Sequence, residues 1–110
     1  IVDWDVHHGN GTQAIFESDP RVLFASLHQW PLYPGTGQSE DCGRGEAKGQ
    51  SVNLPLPSGS DGGDYAGAFE QVVLPALLQF APELVLVSCG FDAHEDDPLA
   101  SMGLCDEDYG

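Results

Sequence analysis

Basic residues are nearly missing from this chain: 3 lysines and arginines stand against 18 aspartates and glutamates, for a formal net charge of −15 over 110 residues. That balance argues against recognition of nucleic acid through its phosphates, which takes a basic surface. It is compatible with a cationic substrate or a metal ion. Long apolar runs are missing as well; Leu84–Val87 is strand-sized and far short of a membrane span. Cysteine is scarce, and Cys42, Cys89 and Cys105 show neither metal-site nor redox spacing. The odd count argues against a disulfide framework and for a reducing compartment, the cytoplasm, or the nucleus in a eukaryotic cell. No internal repeat or low-complexity tract interrupts the chain. It opens on Ile1-Val2-Asp3 without an initiator Met or a basic leader, an abrupt start inside a strand-like run that suggests missing upstream residues.

What is present reads as alternating strands and helices. Ile1–Val6 has the character of a buried strand. Gly9-Asn10-Gly11 marks a turn, and Thr12 is placed to cap a short helix over Gln13–Glu17, ended by Asp19-Pro20. Val22–His28 is a second strand and Ser51–Leu56 a third, separated by a long Gly- and Pro-rich stretch, Gln29–Gln50, of the kind that is either functional or disordered. Tyr65, Ala68, Phe69, Val72, Val73, Ala76, Leu77 and Phe80 recur at helical spacing, with Asp61 and Asp64 at the expected N-terminus. Pro75 predicts a kink in that helix and Pro82 its end. Glu83–Cys89 is a fourth apolar strand, stopped by Gly90. The alternation predicts an α/β fold with a mainly parallel sheet, whose ligands gather beyond the carboxyl ends of the strands.

Two acidic clusters follow strands in this reading. In Asp3-Trp4-Asp5-Val6-His7-His8-Gly9-Asn10-Gly11, an extended backbone would turn Asp3, Asp5 and His7 to one face. In Gly90-Phe91-Asp92-Ala93-His94-Glu95-Asp96-Asp97-Pro98, Asp92 lies just past the fourth strand. If the first and fourth strands run parallel, Asp5, His7 and Asp92 can meet at one sheet edge. Carboxylates and neutral imidazole are zinc ligands, and three of them with a free fourth position make a catalytic site. The blander alternative also stands: Asp-x-His is common in surface turns, and His-His-Gly fits a turn with one satisfied, buried histidine.

The first cluster, extended through Thr12-Gln13, resembles the central motif of the histone deacetylase superfamily. Ser26-Leu27-His28, Tyr33-Pro34-Gly35-Thr36-Gly37, Ser51-Val52-Asn53-Leu54-Pro55-Leu56 and Gly90-Phe91-Asp92-Ala93-His94 continue in that family's order. Asn10, where many eukaryotic class I members have Asp, is closer to the class II and bacterial branches, acetylpolyamine amidohydrolases included. The resemblance implies a three-layer α/β/α sandwich similar to arginase, with residues 1–110 as the central part of a single catalytic domain truncated at both ends. It implies Asp5, His7 and Asp92 as ligands of zinc, or of ferrous iron in its place. It implies a structural potassium ion at Asp3, Asp5, His7, Ser26 and Leu27, held largely through oxygen. A second monovalent site would fall on Phe16, Asp19, Val22 and Gln50. Asp3, His8 and Asn10 would support the catalytic groups from behind, Asp3 and Asn10 each orienting a histidine upstream of Ile1. Tyr33, Leu32 and Gly90 would contact the acyl-lysine chain. The upstream histidines and a downstream tyrosine of the family are not among these residues, so the 110 residues alone are expected to be inactive.

The expected activity is hydrolytic removal of acetyl groups from acetyl-lysine in proteins or from acetylated polyamines. Glu95, Asp96 and Asp97 could favour a polyamine at the rim, or could form a solvated loop. Three other readings compete. Asp92-Ala93-His94-Glu95-Asp96 is similar to the two-manganese motif of ureohydrolases, although Asp-x-Asp-x-His-His fits deacetylases better. A deacetylase-like binding module without activity is the second. A mononuclear iron oxygenase is the third, though it would want two histidines and one carboxylate.

Overall fold

The computed structural model describes residues 1–110. Four strands, β1 (Val2–Asp3), β2 (Phe24–Trp30), β3 (Ser51–Pro57) and β4 (Val87–Ser88), form one sheet in the order β3-β2-β1-β4. Every pairing is parallel. The chain therefore builds outward from β1 through β2 to β3, then returns to the other side of β1. That reversal is a topological switch point, where parallel sheets place their ligands.

Register divides the sheet into two faces. Asp3 lies beside Ser26, and Ser26 beside Asn53. With His28 they form a buried polar face. Helix α1 (Asn10–Phe16) covers it, its Gln13 Oε1 accepting a hydrogen bond from Asn53 Nδ2 at 2.7 Å. The opposite face, with Val2, Ala25 and Leu27, is apolar. It packs on Tyr65 and Val73, with Phe69 and Leu77 at the margin. Helical layers on both faces of a parallel sheet give the expected three-layer α/β/α arrangement.

The helical segment behind the apolar face starts at Asp61. Its carboxylate accepts from the amides of Gly63 and Asp64, and Asp64 reaches back to the Asp61 amide, a reciprocal cap that satisfies donors the first turn leaves free. Pro75, expected to kink the helix, lies where its winding changes. Helix α2 (Gly62–Ala68) passes into a π-wound stretch, Phe69–Val73, and then α3 (Leu74–Phe80), which holds Pro75 in its first turn. A missing N–H is tolerated there, and the wider winding falls one turn earlier. Ala81 ends α3 in the left-handed conformation, φ 54°, ahead of Pro82.

Other boundaries also differ from the sequence reading. Helix α1 begins at Asn10 behind Gly9, with no side-chain cap, so Thr12 is inside the helix rather than at its cap. Strand β1 stops at Asp3 because Asp5 and His7 bend the chain. The fourth strand is two exposed residues, Val87–Ser88, rather than the seven-residue run Glu83–Cys89. It is the sheet edge opposite β3, and β1 offers it only two residues to pair with.

Candidate metal centre

Beyond Asp3 the chain turns through two successive carboxylate–amide bonds. Asp3 Oδ1 accepts from the Asp5 amide at 3.2 Å, and Asp5 Oδ1 accepts from the His7 amide at 2.8 Å. These Asx-type turns do what strand alternation was expected to do. They bring Asp5 and His7 out at the carboxyl end of β1, while Asp3 stays buried below them. From the end of β4, Asp92 Oδ1 reaches across to accept the Val6 amide at 2.9 Å.

The result is a three-residue donor group at the switch point. Asp5, His7 and Asp92 each offer a ligand atom, all within 4.8 Å of one another. His7 Nδ1 stands 3.0 Å from Asp5 Oδ1 and 3.0 Å from Asp92 Oδ2. Two carboxylates directed at one imidazole nitrogen, all half-exposed, leave an open side toward solvent. That donor chemistry fits a zinc or ferrous ion with a free coordination position. Gly90 lies against this group: a Cβ there would overlap the Asp5 carboxylate.

Burial pushes the Asp3 carboxyl above its usual range, against hydrogen bonds from Ser88 and the Asp5 amide that lower it. A nearby cation would favour its charged form. The sheet register sets Ser26 beside Asp3, so two of the expected potassium residues are neighbours, with Leu27 next in β2. At the second expected monovalent position, the carbonyls of Phe16 and Asp19 already accept the amides of Asp19 and Val22, and the Gln50 carbonyl accepts the Phe24 amide.

Tyr33 is 80% exposed, and its ring meets His7 edge-on at 6.4 Å between centroids. Leu32, its neighbour, is half-buried and packs against the apolar core. Asn10 is exposed at the start of α1 and borders a polar recess with His8, Gln13 and Thr36. His94 turns away from the metal group: its Nε2 is 3.2 Å from Asp106, and its Nδ1 accepts the Asp96 amide. Asp97 caps its own turn by accepting the amides of Leu99 and Ala100.

Sequence reasoning placed His8 in support of the centre but missed His28. His8 is buried between Thr36 Oγ1 and Gln13 Oε1, each at 2.8 Å. His28 is buried between Ser26 Oγ at 3.0 Å and the Gly37 carbonyl at 2.9 Å. The signal was available: Ser26 and His28 put polar side chains two apart inside an otherwise apolar strand, which marks one face of that strand as polar.

A parallel sheet with helices on both faces and this donor group at its switch point is the architecture of the deacetylase fold. The chain belongs to the histone deacetylase family, whose domain matches residues 1–110. It is 47% identical to a probable deacetylase of Archaeoglobus fulgidus, over 99% of this chain and 30% of that protein. It is 49% identical to histone deacetylase clr3 of Schizosaccharomyces pombe, over 99% of this chain and 17% of that protein. The solved structure of the histone deacetylase Clr3 superposes with a TM-score of 0.95 at 48% identity, covering 98% of this chain and 19% of that one. An acetylpolyamine aminohydrolase from Burkholderia pseudomallei superposes with a TM-score of 0.88 at 38% identity, covering 93% and 30%. The chain spans about a third of the length of the first relatives it matches.

Proposed function

We propose that the whole protein is a zinc-dependent deacetylase, that Asp5, His7 and Asp92 hold the metal, and that this chain carries its metal-binding part. The convergence of Asp5, His7 and Asp92 at the switch point carries this reading. Zinc, when bound, supplies Lewis-acid chemistry: it polarises an amide carbonyl and makes water more acidic. The chain's own residues supply the positioning. Asp92 is anchored by the Val6 amide through Oδ1, which leaves Oδ2 directed at the site. Asp5 is anchored by the His7 amide. Both carboxylates are thus held by backbone before any metal arrives, which lowers the ordering cost of binding.

Asp3 receives the Asp5 amide and so braces the first of these ligands from below. Tyr33 provides an exposed aromatic wall beside His7, suited to the aliphatic stem of an acyl-lysine. Hydrolysis breaks the amide C–N bond, adds water across it, and releases acetate and a free amine. Potassium at Asp3, Asp5, His7, Ser26 and Leu27 is part of the same proposal, as a structural ion that would offset the buried Asp3 charge.

The substrate we propose is an acetylated lysine side chain in a protein. The likeness to histone deacetylase clr3 supports that choice, while Asp97, whose Oδ1 accepts the Leu99 and Ala100 amides, still keeps Oδ2 and its charge. The test is acetate release by the whole protein from acetyl-lysine peptide and from acetylpolyamine, with and without chelator. Chelator-sensitive release, faster on the peptide, supports the reading. A folded, metal-loaded protein that releases no acetate from either would sink it.

A further inference from the structure

We propose that His28 is a positioning residue, whose ring holds the Gly37 carbonyl and thereby fixes the loop that sets Tyr33 against His7. The inference rests on the deacetylase reading for its consequence in catalysis, but not for the latch itself. A backbone carbonyl only accepts, so His28 Nε2 must carry the proton that it gives to Gly37 at 2.9 Å. Its Nδ1 then accepts from the Ser26 hydroxyl at 3.0 Å. Both contacts are buried, and the ring is 1% exposed.

His8 repeats the device one step nearer the metal ligands. Gln13 Oε1 already accepts from Asn53, so His8 Nε2 donates to it and His8 Nδ1 accepts from the Thr36 hydroxyl. The two rings lie 4.9 Å apart between centroids. Gly37 is pressed onto the pair at φ +90°, and a Cβ there would stand 2.6 Å from both His28 Nε2 and the His8 ring. Residues 36 and 37 are thus clamped, three and four positions after Tyr33. Tyr33 itself has few contacts of its own, being 80% exposed. Its place beside His7 is set by the clamp, not by burial.

The test uses the zinc-loaded whole protein as wild type, His28→Asn, His28→Gln, Thr36→Val, Tyr33→Ala and the Tyr33→Ala/His28→Asn double variant. Asn can keep the Ser26 contact but falls short of Gly37, whereas Gln can return a donor near the Nε2 position. Amide exchange is read across residues 31–43 against β3, alongside KM and kcat on acetyl-lysine peptide. His28→Asn is expected to speed exchange across 31–43 but not in β3. It should raise KM roughly tenfold, the scale of one buried hydrogen bond, with kcat changed much less. His28→Gln should recover most of both effects, and His28→Asn should add little in the Tyr33→Ala background.

Unchanged loop exchange in a folded His28→Asn protein overturns the proposal, as do KM effects that simply add to those of Tyr33→Ala. Should His28→Asn fail to fold, Thr36→Val decides: Thr36 is itself exposed and its loss removes the His8 half of the same clamp, so faster loop exchange supports the clamp and unchanged exchange overturns it. A wild type without deacetylase activity defeats the functional reading alone, because loop exchange still decides the latch.

Discussion

At Gly90, room for a side chain is absent, because a Cβ would meet the Asp5 carboxylate. Gly90→Ala should therefore displace Asp5, a proposed metal ligand, without removing it. We expect zinc affinity to fall roughly 10- to 100-fold, the range seen when groups supporting a ligand are altered. Asp92→Ala, which removes another proposed ligand and frees the Val6 amide, should abolish stoichiometric binding. Competition against a chromophoric chelator measures both. His28 makes a separate prediction. Burial, the largest cause, lowers its pKa from 6.5 to about 4, with His8 adding to the fall and the backbone of Gly37 and Ser26 opposing it. The folded state thus binds the proton more weakly than the unfolded chain. The stabilisation from neutral His28 is complete above about pH 6.5 and is lost as pH falls toward 4, amounting to about 3 kcal/mol. Urea unfolding of wild type and His28→Gln across that window should show a flatter pH dependence in the variant.

At the scale of elements, the N-terminus of α2 offers a clean test. Asp61→Ala removes the acceptor for two amides and should cost about 1 kcal/mol, read as a lower urea midpoint at unchanged slope. The sequence announced this element well. Its apolar spacing, Asp61 and Asp64 all mark one amphipathic helix, and the helix is there. What it hid was the π-wound stretch Phe69–Val73 ahead of Pro75, which a 3.6-residue apolar spacing does not describe. The site was legible for a similar reason: Asp5, His7 and Asp92 lie close to strand ends, and the order of strands alone brings those ends together. The means was not legible. The bend after Asp3 depends on carboxylate–amide bonds that period-two alternation does not describe. The length of β4 was overestimated because an apolar run reads as strand throughout, whereas β1 offers this edge only two residues to pair with.

Taken as one body, the molecule combines a strong negative charge with an apolar edge. Leu84, Leu86 and Val87 are 72%, 56% and 46% exposed along or beside β4. Such an edge pairs readily with another copy, and a net charge of −15 opposes that approach. The isolated 110-residue chain should therefore associate more as salt screens the repulsion, and Leu86→Lys should reduce that association. Light scattering at rising salt checks both. No helix is long and apolar enough to cross a membrane. The polar sheet face leads to the carboxyl edge, where Asp5, His7 and Asp92, the proposed ligands of a single metal ion, converge. The most direct test is to strip the folded chain with chelator, titrate it with zinc, and count bound metal in wild type and in Asp92→Ala. The account predicts one equivalent of zinc in the wild type and none in the variant. Two equivalents per chain, or one that survives the loss of Asp92, would contradict it.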